Sequence, residues 1–305
     1  MTTAMASAQA GSAALAHRAA RDRHARLRRR AGSALTGLAA LIVFVASVFP
    51  VYWMVNTSFQ PNSQVRGSEL HFWPDNGTLD NYANVILGDT RAPFAPALVN
   101  SLTISLITVA VALVFAFLAA LAVTRFRFRS RAGLIIAILI VQMIPAEAMI
   151  ISIFRLVDGW HLLNSVLGLS AVYIATVLPF TIWTLRGFVN GVPAELEEAA
   201  MIDGLSRAGA FWRITFPLLA PGLVATGIFG FIQAWNEFVF ALVLNPRPEA
   251  MTLPVWLRTF LDPNGGINWA ELMAASTLVA IPVVIFFLLV QKRMTGGLVA
   301  GAVKG

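Results

Sequence analysis

The sequence predicts an all-α integral membrane protein: six transmembrane helices, both termini in the cytoplasm, and a helix-turn-helix standing out on the cytoplasmic side. Three observations predict it. First, 58% of the 305 residues are hydrophobic and 12% are charged, whereas soluble domains run about 45 to 50% apolar and about 25% charged. Second, the charges gather in short stretches separated by six apolar runs, each long enough for a bilayer core that needs about 20 helical residues. Third, with both ends placed inside, 17 of the 22 Lys and Arg fall on the cytoplasmic side and five outside, the asymmetry that orients membrane proteins.

The elements follow in order. Residues 1–32 form a basic tail of Ala, Ser and Arg, with seven arginines between Arg18 and Arg30, the composition of a disordered segment or one lying on anionic lipid. The run 33–55 is too long for a cleavable signal, whose apolar region spans about 7 to 15 residues, and reads as a retained first span. An external segment, 56–96, carries Pro, Asn, Asp, Trp73 and Tyr82, a composition suited to meeting another protein. Spans two and three, 97–124 and 132–155, flank a short loop with Arg125, Arg127, Arg129 and Arg131. Span four, 164–186, leads into the inner loop 187–221. Pro193 suits a first helical turn, and Glu195, Glu197 and Glu198 favour a helix N-terminus. Gly204 should break that helix, and 208–214 should resume it until Pro217 ends it. Spans five and six, 222–244 and 271–291, precede a cytoplasmic tail, 292–305. Pro145, Pro179 and Pro282 should kink the spans that hold them.

Composition also excludes chemistries. With no Cys there is no thiol nucleophile or thiolate metal site, and His17, His24, His71 and His161 are too scattered for a metal centre. The two lysines are followed by Arg293 and Gly305, so neither completes a phosphate-binding loop. Gly204, Leu205, Ser206 and Arg207 are followed by Ala208, which fails the serine-hydrolase elbow. The chain is not expected to be an enzyme. Its net charge of +7 sorts by membrane side, so no nucleic-acid partner is expected.

The inner loop carries a resemblance. Glu198, Ala199 and Ala200, three residues, Gly204, nine more, then Ile214, Thr215, Phe216 and Pro217 resemble the E-A-A, x3, G, x9, I-x-L-P loop of ABC importer permeases, with Phe216 where the family usually has Leu. Gly297, Leu298 and the run Ala300 to Gly305 are similar to the C-terminal tail of the maltose-type carbohydrate permeases. The resemblance covers the chain from about residue 33 onward and makes 33–291 a permease domain. It implies a bacterial plasma-membrane subunit of an ATP-driven carbohydrate importer, forming half of the translocation path. The implied partners are a second homologous permease, two cytoplasmic ATPase subunits and an extracytoplasmic sugar-binding protein. This chain would hold no cofactor, ATP and Mg being bound by the ATPase. By the same resemblance Glu198, Ala199, Ala200, Asp203, Gly204, Ile214 and Pro217 would couple to the ATPase, and Gly301 and Lys304 of the tail would reach it.

Two ionisable residues fall inside predicted spans. Glu147 and Glu237 each lie about 22 Å across, in the outer half of the bilayer. Gln233, Asn236 and Glu237 would share one helical face, with Phe229 and Phe240 a turn either way. That face suits a sugar, whose hydroxyls take amides and carboxylates, and equally suits hydrogen bonding between helices. An ion-coupled secondary transporter would also use buried carboxylates, and a channel would use rings of like side chains; the long inner loop favours the ATP-driven reading over both. In the external stretch 251–257, apolar residues stand where neither lipid nor core requires them. Leu253, Pro254 and Trp256 are therefore expected to contact the binding protein, with lipid-interface anchoring as the alternative for Trp256.

Overall fold

The computed structural model describes residues 32–302 except 68, 89–91 and 262–265, with side chains described as far as residue 291. The basic tail before residue 32 and Lys304 lie outside the described residues. Among the described residues every regular element is helical. The chain divides into two units, residues 1–56 and 57–305. The described part of the first belongs to one apolar helix, α1 (Gly32–Ser58), of 27 residues.

The second unit begins with two short helices, α2 (Asn62–Val65) and α3 (Asp80–Leu87). Helix α4 (Phe94–Arg125) is 32 residues long. Its buried face carries Ile104 and Val123 and, between and beside them, Ala97, Ser101, Ser105, Thr108, Ala112, Ala116 and Ala120, mostly small residues at helical spacing. In a bilayer, where lipid is as apolar as leucine, helices associate by close packing of such faces. This face lies against α7 (Val166–Gly191) and α10 (Phe216–Asn236). On α10, Gly222 faces the Phe188 ring of α7, and a Cβ there would collide with it.

The third predicted span is not one straight helix. Helix α5 (Arg131–Met143) stops before Pro145, a 3-10 turn spans Ala146–Met149, and α6 (Ile150–Gly159) continues after a bend of 82°. Proline lacks the N–H that would continue the helix and pushes the preceding residue to extended backbone; Ile144 sits at φ −77°, ψ 121°. Among the described residues five helices are thus long and apolar enough to cross a membrane, or six if the bent pair counts as one crossing. By contrast, Pro179 and Pro282 lie inside continuous helices.

Two further boundaries differ from expectation. The inner loop holds α8 (Glu195–Ile202) and α9 (Arg207–Ala210), but α9 does not end at Pro217. It passes through a π-helical turn, Phe211–Thr215, into α10 (Phe216–Asn236), giving one helical stretch of 30 residues. Pro217 stands in the first turn of α10, just after the π turn, and the helical stretch runs past it. At the other end α10 stops at Asn236, and the expected remainder of span five is a separate helix, α11 (Val239–Leu244). Helix α12 (Leu253–Leu257) and a 3-10 turn at Arg258–Phe260 then precede α13 (Trp269–Ala302), whose backbone runs on past residue 291 into the predicted tail.

Candidate coupling hairpin and transport path

Helices α8 and α9 form an exposed hairpin whose turn is fixed by glycine. At the end of α8 the Gly204 N–H donates to the Met201 carbonyl and the Leu205 N–H to the Ala200 carbonyl, both at 3.1 Å. This is the Schellman pattern, which needs a left-handed residue after the helix cap, and Gly204 has φ +94°. Within this chain the need for glycine is therefore a backbone one: no atom lies within 4 Å of the position its Cβ would take. Ser206 caps α9, its Oγ accepting from the Gly209 N–H at 3.1 Å.

Of the residues expected to couple, Glu198, Ala199, Asp203 and Pro217 are exposed, Ile214 is half-buried in the π turn and Ala200 is buried against the bundle. At the tip Ile202 is 86% exposed, and Trp212 on the second arm is also exposed. Gly301 lies in the helical backbone of α13.

Sequence reasoning missed how the hairpin is tied to the bundle. The Arg125 Nη2, at the end of α4, donates to the Val192 carbonyl at the end of α7 (2.9 Å) and stands 3.5 Å from Glu197 Oε1 on α8. The same Glu197 oxygen accepts from the Thr215 hydroxyl at 2.7 Å, where the π turn meets α10. Phe117 of α4 packs on Phe211 and Phe216, each at 6.1 Å between centroids. No motif links these positions. The available signals were an Arg directly after an apolar run and a Glu on the side of α8 that turns back toward the membrane.

Toward the far end of α10 from the hairpin the expected substrate face is divided. Phe229, Gln233 and Asn236 are exposed along α10, and Phe180 of α7 meets Phe229 edge-on at 6.1 Å. Glu237 does not belong to that face, because the helix ends at Asn236 and Glu237 has extended backbone. Its carboxylate instead accepts from the Phe240 N–H (2.8 Å), the Ala241 N–H (3.1 Å) and the Tyr173 hydroxyl (2.6 Å). It caps α11 and ties the break to α7. Phe240 is buried in the core rather than beside Gln233. Glu147 is exposed in the 3-10 turn that follows the other helix break, and α6 packs against α11.

The expectation for 251–257 is corrected. Leu253 and Trp256 are fully buried and Pro254 is half-buried. The Trp256 indole N–H donates to the Ala92 carbonyl at 2.7 Å, and its ring packs on Phe94 and Phe260. The Leu253 N–H donates to the Ser101 hydroxyl at 2.7 Å. These apolar residues form a core with α4 and α13, which a reading based on loop position alone could not see.

A bundle of apolar helices, with a hairpin whose second arm runs without interruption into one of them, has the architecture of a multi-pass membrane protein. The family of binding-protein-dependent transport system inner membrane components matches residues 112–296, and the chain belongs to it. It is 43% identical over 274 residues to the diacetylchitobiose uptake system permease protein of Streptomyces coelicolor, covering 90% of this chain and 98% of that one. It is 36% identical to the trehalose/maltose transport system permease protein of Thermococcus litoralis, covering 88% and 95%. The trehalose transport system permease protein of Mycobacterium tuberculosis is 37% identical, covering 85% and 93%. Among solved structures, a bacterial ABC transporter that imports the polysaccharide alginate matches with a TM-score of 0.73 at 22% identity, over 86% of this chain and 96% of that one. The chain is a permease subunit of the inner membrane, in a family of transport proteins rather than enzymes.

Proposed function

We propose that this permease forms half of the path of an ATP-driven carbohydrate importer, together with a second homologous permease, two ATPase subunits that hold ATP and Mg, and an extracytoplasmic sugar-binding protein. The observation that carries the reading is the hairpin: exposed at Glu198, Asp203 and Ile202, locked by a Schellman turn, and continuous with α10. An element of this kind transmits a rigid-body displacement, as a flexible loop cannot. The sugar class is supported by the relatives named above, and by the alginate transporter solved in complex with a pentasaccharide-bound periplasmic protein, which is similar in fold. Both termini and the hairpin face the cytoplasm in this reading, so a cysteine placed at Arg207 in this cysteine-free chain reacts with an impermeant thiol reagent from the cytoplasmic side alone; labelling of intact cells from outside would contradict the orientation.

Phe229, Gln233 and Asn236 line the sugar path, amides taking hydroxyls and the ring stacking on the apolar face, with Glu147 at the neighbouring helix break. Glu237 serves this path indirectly, by holding α11. The test of coupling is Gly204→Trp in the transporter assembled in proteoliposomes: binding-protein-stimulated ATP hydrolysis should be lost, and stimulation at the wild-type level would sink the reading.

A further inference from the structure

The hairpin is held to the membrane helices by a chain of polar contacts that no motif records. Starting from α7, the Val192 carbonyl accepts from Arg125 of α4, Arg125 pairs with Glu197 of α8, and Glu197 accepts from Thr215 at the root of α10. Arg125 and Glu197 are each about one-fifth exposed and Thr215 is fully buried, so the chain is sheltered from the screening that makes surface ion pairs weak. It is also economical: one guanidinium nitrogen serves α7 and α8 together, and one carboxylate oxygen serves α4 and α10. Arg125 and Glu197 also stand on the wall of a cleft of about 630 Å³, with Phe126, Met201 and Trp212. Because of that opening, the arms of the hairpin do not pack solidly against the end of α4. Near this cleft the polar chain, together with the Phe117 contacts, joins hairpin and bundle.

We propose that Arg125, Glu197 and Thr215 are positioning residues, a clamp that makes the hairpin and the inner ends of α4, α7 and α10 move as one body. The proposal rests on the reading of the hairpin as the ATPase-facing element and adds what that reading lacks, namely how motion at α8 reaches helices other than α10. Without the clamp, a push on α8 would be spent in opening the cleft rather than in moving α4 and α7. The expected signature is loss of coupling rather than loss of docking, since the exposed residues Glu198 and Ile202 are untouched.

The test compares Thr215→Val with Thr215→Ser, and adds Arg125→Gln, in the purified complex reconstituted in proteoliposomes. Thr215→Val keeps the volume of a buried side chain and removes the hydroxyl, whereas Thr215→Ser keeps the hydroxyl. The reading is ATP hydrolysed per sugar imported, with complex yield as the check on folding. Thr215→Val and Arg125→Gln should raise that ratio about tenfold, the effect of a contact whose loss shifts an equilibrium by one decade, while Thr215→Ser stays at the wild-type ratio. A wild-type ratio in both Thr215→Val and Arg125→Gln would overturn the clamp. So would a proportional fall in uptake and hydrolysis, which marks a docking or folding defect. Gly204→Trp is scored in parallel: if it abolishes stimulated hydrolysis while the clamp variants keep the wild-type ratio, the docking reading stands and the clamp alone fails.

Discussion

Replacing Gly204 by alanine separates the backbone reason for this glycine from any reason connected with a partner. In the free subunit the new methyl would meet nothing within 4 Å, so packing contributes no cost. What remains is the conformation, φ +94°, which brings the Cβ of an L-residue against its own backbone at a cost of about 1 to 2 kcal/mol. The turn is held by the residue-204 N–H to Met201 and the Leu205 N–H to Ala200, so weakening it by that amount should speed exchange of the Leu205 amide by about 5- to 30-fold. Asparagine visits the left-handed region more readily than alanine, so Gly204→Asn should recover most of the protection. Hydrogen exchange followed by mass spectrometry on a peptide spanning the hairpin reads all three proteins. Wild-type protection in Gly204→Ala, or equal losses in the alanine and asparagine variants, would refute the backbone argument.

Three further outcomes are expected. A double-mutant cycle of Tyr173→Phe and Glu237→Ala, read by unfolding of the purified subunit, should give a coupling energy of about 1.5 to 3 kcal/mol, the worth of a hydrogen bond to a charged group; additive effects would show that the 2.6 Å contact does not tie α11 to α7. Trp256→Ala should destabilise the core it shares with α4 and α13 by about 3 to 5 kcal/mol, measured by the same unfolding assay, and a crosslinker at Trp256 should not reach a binding protein; a neutral substitution with efficient crosslinking would restore the exposed contact site. Removing residues 298–305 should leave the chain inserted in the membrane but lower the yield of assembled, transport-competent complex, and wild-type uptake after truncation would show the tail to be dispensable.

Much of the fold was legible because apolar run length is a direct consequence of bilayer thickness. The hairpin was legible for a similar reason: Pro193, the acidic run at Glu195 to Glu198 and Gly204 each act on the backbone within a few residues. The errors lie where side chains distant in sequence decide local structure. Nothing near Glu237 breaks a helix by propensity; the break is stabilised because its carboxylate finds two backbone N–H groups ahead and Tyr173 across the bundle. Pro217 looked like a stop, but a π turn carries the helix past it. Trp256 looked exposed since its partners, Phe94 and the Ala92 carbonyl, belong to a segment more than a hundred residues away. The Arg125 clamp is of the same kind, joining residues that no local pattern pairs.

The most direct test of the account is vectorial transport by the reconstituted complex of this permease with its partner permease, ATPase and binding protein, using radiolabelled trehalose, maltose and diacetylchitobiose as probes. The account predicts uptake of a sugar from this panel that requires ATP on the side of the hairpin and binding protein on the other, and that is abolished by Gly204→Trp. Uptake driven by a proton or sodium gradient in the absence of ATP, and indifferent to Gly204→Trp, would contradict it.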